Sequence, residues 1–123
     1  MLKMSLAFAA LLSAGFTLAA CGESDVEKAE LVTCREVVKL ALNSPGSFKV
    51  TKSNFDETSE GEAVILDVDY VDASGASQHV REKCWFGGYG ENKPLKELYV
   101  EKNNEFIAVP ETELEAYKKK LAG

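Results

Sequence analysis

Ala63-Val64-Ile65-Leu66-Asp67-Val68-Asp69-Tyr70-Val71, followed after a short polar gap by Ser77-Gln78-His79-Val80-Arg81-Glu82-Lys83-Cys84-Trp85-Phe86, is the stretch that decides the fold. Apolar and polar residues alternate along the first run. Val64, Leu66, Val68 and Tyr70 share one face, while Ile65, Asp67, Asp69 and Val71 share the other, which is the period of a strand with one buried face. The second run reads as its antiparallel partner. A three-residue loop of Ser74-Gly75-Ala76 sets Tyr70 opposite Val80, Leu66 opposite Cys84 and Val64 opposite Phe86. On the reverse side Asp69 then meets Arg81, Asp67 meets Lys83 and Ile65 meets Trp85. A two-residue loop would set Val68 against Arg81, a worse cross-strand pair. In the expected register Glu82 falls on the apolar face beside Val68, with no partner that the sequence supplies.

Downstream, Leu95 to Lys102 and Glu105 to Val109 form a second hairpin around Asn103-Asn104, a dipeptide that tolerates the positive φ of a type I′ turn. This sets Val100 opposite Ile107 and Leu98 opposite Val109. Between the hairpins, Gly87 to Asn92 is a loop without the Gly-Lys-Ser/Thr ending of a phosphate cradle. Pro110 to Leu121 closes the chain as a helix with Leu114, Tyr117 and Leu121 as its buried stripe. Its acidic start and basic end suit the helix dipole. Upstream, Ser47 to Lys52 begins as a strand, with Phe48 and Val50 on one face. It then dissolves into an acidic loop from Asp56 to Glu62 that lacks the ligand spacing of a calcium loop. Ser24-Asp25-Val26-Glu27 is a capping box opening a helix from Asp25 to Leu42. Its apolar stripe is Leu31, Cys34, Val37, Val38, Ala41 and Leu42. Asn43-Ser44-Pro45-Gly46 stops it. The expected fold is therefore α+β: an N-terminal helix across one face of an antiparallel meander of about five strands, then a short C-terminal helix. The core is expected from Val64, Leu66, Val68, Val80, Phe86, Val100 and Ile107.

The first residues read differently. Met1 to Met4 carry one charge, Lys3, and Ser5 to Leu18 carry none. A basic start, an apolar run and small residues before a cut make a secretory signal, too short for a transmembrane helix. Leu18-Ala19-Ala20-Cys21 resembles the lipobox of bacterial lipoproteins. The resemblance implies that Leu18, Ala19 and Ala20 are read by the lipoprotein signal peptidase, that residues 1–20 are removed, and that Cys21 is lipidated. Residues 21–123 are then one mature domain in the cell envelope. Gly22 follows the cysteine where an inner-membrane retention signal carries Asp, which implies the outer membrane, facing the periplasm. Three residues, Gly22 to Ser24, reach roughly 10 Å, so the domain is expected against the bilayer. The segment Val38-x-x-x-Leu42-Asn43-Ser44-Pro45-Gly46-Ser47-Phe48-Lys49, with the later Cys84-x-Phe86, resembles small uncharacterised bacterial and phage-encoded proteins and implies no activity.

Charge and cysteines narrow the function. The 123 residues carry a formal charge of −6, and loss of the signal removes only Lys3. So acidic a domain repels nucleic acid, and the acyl chains must supply its membrane attachment. With Cys21 spent on lipid, an exported domain pairs the remaining Cys34 and Cys84. A loop of that size contributes about 4 kcal/mol in the chain-entropy model. His79 is the single histidine and no Cys-x-x-Cys occurs, so no metal or other cofactor is expected.

Asp67 and Asp69 lie roughly 7 Å apart along one strand face, a separation that a carboxylate pair uses in glycoside hydrolysis. With Arg81 and Lys83 opposite, a solvated salt-bridge face is the better reading. His79 has no Ser or Cys nucleophile beside it. Ile65, Trp85, Tyr99 and Phe106, together with Tyr89 in the glycine loop, are more aromatic than a solvated face requires. Either the C-terminal helix covers them or they contact another envelope protein. The expected function is a non-catalytic, protein-binding or accessory lipoprotein domain. The alternative is a small envelope hydrolase working through Asp67 and Asp69.

Overall fold

The computed structural model describes residues 25–43, 46–88 and 93–123. The signal segment, Cys21, Ser24 and Tyr89 lie outside them. Helix α1 (Asp25–Ala41) is followed by strands β1 (Ser47–Glu57), β2 (Gly61–Val71), β3 (Ser77–Gly87), β4 (Leu95–Lys102) and β5 (Glu105–Ala108), and by helix α2 (Glu111–Ala122). The strands form one antiparallel meander in sequence order. Asn43, at φ 59, takes the left-handed turn after α1.

The β2–β3 register is displaced by two residues from the expected one. The loop has three residues, as read, but they are Ala73-Ser74-Gly75. Asp72 explains the choice. Its Oδ1 accepts hydrogen bonds from Ser74 N at 2.9 Å, Ser74 Oγ at 2.6 Å and Ala76 N at 3.0 Å. Gly75 N donates to the Asp72 carbonyl at 2.9 Å and Asp72 N to the Ala76 carbonyl at 2.9 Å. Asp at the first position of a type I turn and a glycine in left-handed space, here Gly75 at φ 90, are the residues that this hairpin needs. The Ser74 hydroxyl first, then Ala76 N–H and Gln78, hold the Asp72 carboxyl down at about 2. The pairs are therefore Val68 with Val80, Leu66 with Glu82, Val64 with Cys84, Asp69 with His79, Asp67 with Arg81 and Ile65 with Lys83. An even shift preserves the faces, so the apolar side remains the one expected.

Strand β1 continues to Glu57, through the start of the expected acidic loop. Val50 pairs with Val68 and Lys52 with Asp67, leaving Thr51 as a bulge. One extra residue switches which side chains face inward. Phe48 and Val50 point to the core side before it, and Ser53, Phe55 and Glu57 after it, which is why the alternation breaks in the sequence. The connection to β2 is only Thr58-Ser59-Glu60, tied by Thr58 N to the Gly61 carbonyl at 2.8 Å. Glu62 belongs to β2 and is wholly buried.

Both helices pack on the same side of the sheet. Cys34, Val37 and Val38 of α1 and Leu114 of α2 share one buried cluster with Val64, Leu66, Val68, Cys84, Phe86, Leu95 and Leu98. Cys34 and Cys84 are disulfide-bonded, their Cα atoms 5.8 Å apart, stapling α1 to the central strand. The second hairpin has the expected register, Val100 opposite Ile107, with Asn103 and Asn104 both at positive φ. Four expectations of burial fail at the margins. Val80 and Val100 are only half-buried, and Ile107 is 48% exposed because it stands on the short edge strand beyond the helices. Leu121, in the last turn of α2, is likewise exposed. Among the described residues no helix is long and apolar enough to cross a membrane.

Candidate functional site

The sheet face away from the helices carries Ile65, Trp85, Tyr99 and Phe106, each half-buried. Leu114 and Tyr117 of α2 join the core on the other side, so α2 does not cover these aromatics. Ile65, Lys83 and Tyr99 form one cross-strand row. Lys83 Nζ lies 4.6 Å from the Tyr99 ring centroid and 4.8 Å from that of Phe106. A cation held by two rings in this way is worth about 0.5–1 kcal/mol per contact at an exposed site. The Tyr99 hydroxyl donates to Glu97 Oε1, and burial, then that bond, pushes the phenol up to about 12.

Trp85 lies flat on backbone that has no side chains of its own. A Cβ on Gly61 would stand 2.9 Å from Trp85 Cζ2, and one on Gly87 would stand 3.0 Å from Nε1. Ala63, its cross-strand partner, is buried. The indole thus roofs a floor of two glycines and an alanine and stays half-buried. An open cleft of about 630 Å3 runs past it, bordered by Glu60, Lys96, Val109 and Glu111.

Beside the aromatics runs a charge network. His79 Nδ1 is 2.7 Å from Asp69 Oδ1 and His79 Nε2 is 3.6 Å from Asp67 Oδ1. Arg81 Nε is 3.5 Å from Asp67 Oδ1, and its other end reaches Glu101 at 3.6 Å. The register shift accounts for the change of partners. Arg81 serves Asp67 instead of Asp69, His79 takes its place, and Lys83 goes to the rings. Asp67 is therefore engaged by Arg81 and Asp69 by His79, along one cross-strand ladder. Asp69 borders a shallow recess with Lys49 and Ser77, and Asp67 does not.

A second cluster lies under the first turns of α1, where the sequence reading assigns nothing. Glu30 is 5% exposed and Glu62 is fully buried. Lys93 Nζ lies 2.7 Å from Glu62 Oε2. Neither Glu30 oxygen receives a hydrogen bond from an N–H or hydroxyl among the described residues. Burial first, then the shared proton and charge of Glu62, push the Glu30 carboxyl up to about 8, with Lys93 opposing and Glu57 adding. Glu62 in turn holds the Lys93 ammonium above its ordinary range. The signals are present in the pattern. Glu30 stands four residues before Cys34 and seven before Val37 on the apolar stripe, and Glu62 precedes Val64 on the core face.

Among the described residues no group of three or more His, Cys, Asp or Glu is arranged to hold a metal ion. The chain matches no family model, no curated protein and no solved structure.

Proposed function

We propose that the chain is a bacterial envelope lipoprotein, cut before Cys21 and anchored by acyl chains on that residue. Residues 21–123 then form a non-catalytic accessory domain that binds another envelope protein. The observation that carries the binding reading is the half-buried sheet face with Ile65, Trp85, Tyr99 and Phe106, opposite the face on which both helices pack. Half-buried aromatics beside a cleft are the kind of anchor that dominates protein interfaces. Export is supported by the buried Cys34–Cys84 bond, since such bonds persist in oxidising compartments and are rare in the cytosol. Lipidation is supported by the charge-free run ending at Ala19-Ala20-Cys21. The engagement of Asp67 and Asp69 by His79 and Arg81 favours the non-catalytic reading.

The test has two arms. Cells expressing the wild type should incorporate a palmitate analogue and Cys21→Ser should not; equal label in both would refute the anchor. A photo-crosslinking residue at Tyr99 should yield one discrete adduct with an envelope protein, and the same residue at Lys52 should not. Equal adducts at both positions, or none at Tyr99, would refute the binding face.

A further inference from the structure

Glu30, Glu62 and Lys93 leave a charge imbalance where both carboxylates are almost wholly buried. Two carboxylates face one ammonium, and Glu57 from the end of β1 adds to the negative side. Burying an unpaired carboxylate is costly, and the group takes up a proton to avoid it. Glu30 is the carboxyl that does so, since among the described residues the one cation here, Lys93, pairs with Glu62. It also lines an open cleft of about 530 Å3 whose other walls include Val26, Phe86, Lys93 and Leu95. A buried acid that shares a proton with Glu62, and that no N–H or hydroxyl among the described residues serves, thus forms part of the wall of a cleft with apolar neighbours.

We infer that this cleft receives a lysine or arginine side chain of a partner protein, its alkyl stem against Val26, Phe86 and Leu95 and its cation on Glu30. The charge count argues for a cation, because one more positive charge neutralises the pair of carboxylates without a proton. The apolar walls argue for a long stem ending in that charge, the shape of these two side chains. A bare metal ion fits less well, since the described carboxylates form no metal-binding group. The cleft lies on the helix side of the sheet, so its occupancy is independent of the aromatic face.

The step is an exchange. The Glu30 carboxylic acid gives its proton to solvent, and the resulting carboxylate pairs with the incoming ammonium or guanidinium. Affinity therefore rises about tenfold per pH unit up to the point where Glu30 ionises unaided, near 8, and then levels off. Among the described residues, the charged groups acting on Glu30 are Glu62 on β2, Glu57 on β1 and Lys93 before β4, and Asp25 of its own helix lines the same cleft.

The exchange is testable on the purified protein by carbon NMR of the glutamate carboxyls, with Nα-acetyl-lysine methylamide as the probe and its neutral norleucine counterpart as the control. At saturating lysine probe the Glu30 titration midpoint should fall by at least one pH unit, with the Glu82 midpoint unmoved. The norleucine compound should move neither. A folded Glu30→Gln protein should bind the lysine probe at least tenfold more weakly, with no pH dependence between 6 and 8. A Glu30 midpoint indifferent to the lysine probe, or shifted equally by norleucine, would overturn the assignment, and this wild-type readout stands even where Glu30→Gln does not fold.

Discussion

Glu82 stands directly opposite Leu66 across the β2–β3 ladder, and both side chains are buried in the apolar layer beneath the helices. Burial alone pushes the Glu82 carboxyl up to about 8, and its Oε1 has no hydrogen-bond partner among the described residues. The folded protein holds a proton there that the unfolded chain, at about 4.5, has released. The stability this contributes is fully present below about pH 4.5 and is lost as pH rises through 8. At ~1.4 kcal/mol for each tenfold change in proton affinity, the wild type should lose roughly 3–5 kcal/mol from this group between pH 5 and 9. Glu30 titrates in the same window, so the decisive comparison is with Glu82→Met. Urea unfolding should show a much flatter pH dependence in that variant. Equal slopes in both proteins would refute the account.

The pairing of Gly61 with Gly87 beneath Trp85 makes a second expectation. A Cβ on Gly61 would stand 2.2 Å from the Phe86 carbonyl oxygen and 2.9 Å from the Trp85 ring, so the strand backbone itself would have to shift. Gly61→Ala should destabilise by more than about 2 kcal/mol, in the range of overpacked sites. Gly75 is the contrasting case. Nothing lies within 4 Å of its added Cβ, and only the positive φ is strained, so Gly75→Ala should cost about 1 kcal/mol. Thermal melts of the two variants that came out level would show that the close approach at Gly61 is relieved by a backbone shift.

Most of the fold is legible in the sequence because alternation survives an even shift of register. Moving every β2–β3 pair by two residues leaves Val64, Leu66 and Val68 inward and Asp67 and Asp69 outward. The signal for the true register is Asp72, whose side chain can close the turn only if Ala73 leads the loop. Hydrophobicity does not report that preference. The Thr51 bulge is illegible for a related reason, since one inserted residue looks the same as the end of a strand. The cluster of Glu30, Glu62 and Lys93 escapes any reading that sends charged residues to solvent, although two of the three stand in apolar stripes. The aromatic face is legible residue by residue. Its exposure is not, because the side on which α2 packs depends on the path of the chain after Pro110.

If Asp72 sets the register, its removal should loosen the hairpin tip before it affects the core. Asp72→Ala takes away the acceptor for Ala76 N and Ser74 N. Amide exchange at those two positions should quicken by at least tenfold, while that of Val64 and Leu66 tracks global stability. The contribution also carries a pH signature. With the folded carboxyl lowered from 3.8 to about 2, its stabilisation is present above about pH 4 and lost as pH falls through 2. Unchanged exchange at Ala76 would assign the register to the strands alone.

The aromatic face separates packing from recognition through two of its members. Trp85 covers Gly61, Ala63 and Gly87, so Trp85→Ala removes a roof from the sheet and should cost about 1–3 kcal/mol, as for a half-buried aromatic. Phe106 stands on the four-residue edge strand β5 with Lys83 over its ring. Phe106→Ala should therefore cost less than about 1 kcal/mol. A loss of partner capture in Trp85→Ala is ambiguous by itself, because a loosened sheet would produce it too. Phe106→Ala is the variant that decides: at an unchanged melting temperature it should still weaken the crosslink from Tyr99 by at least fivefold. Full crosslinking in a stable Phe106→Ala protein would mean that the ring serves only to hold Lys83, and that the face is covered by nothing at this end.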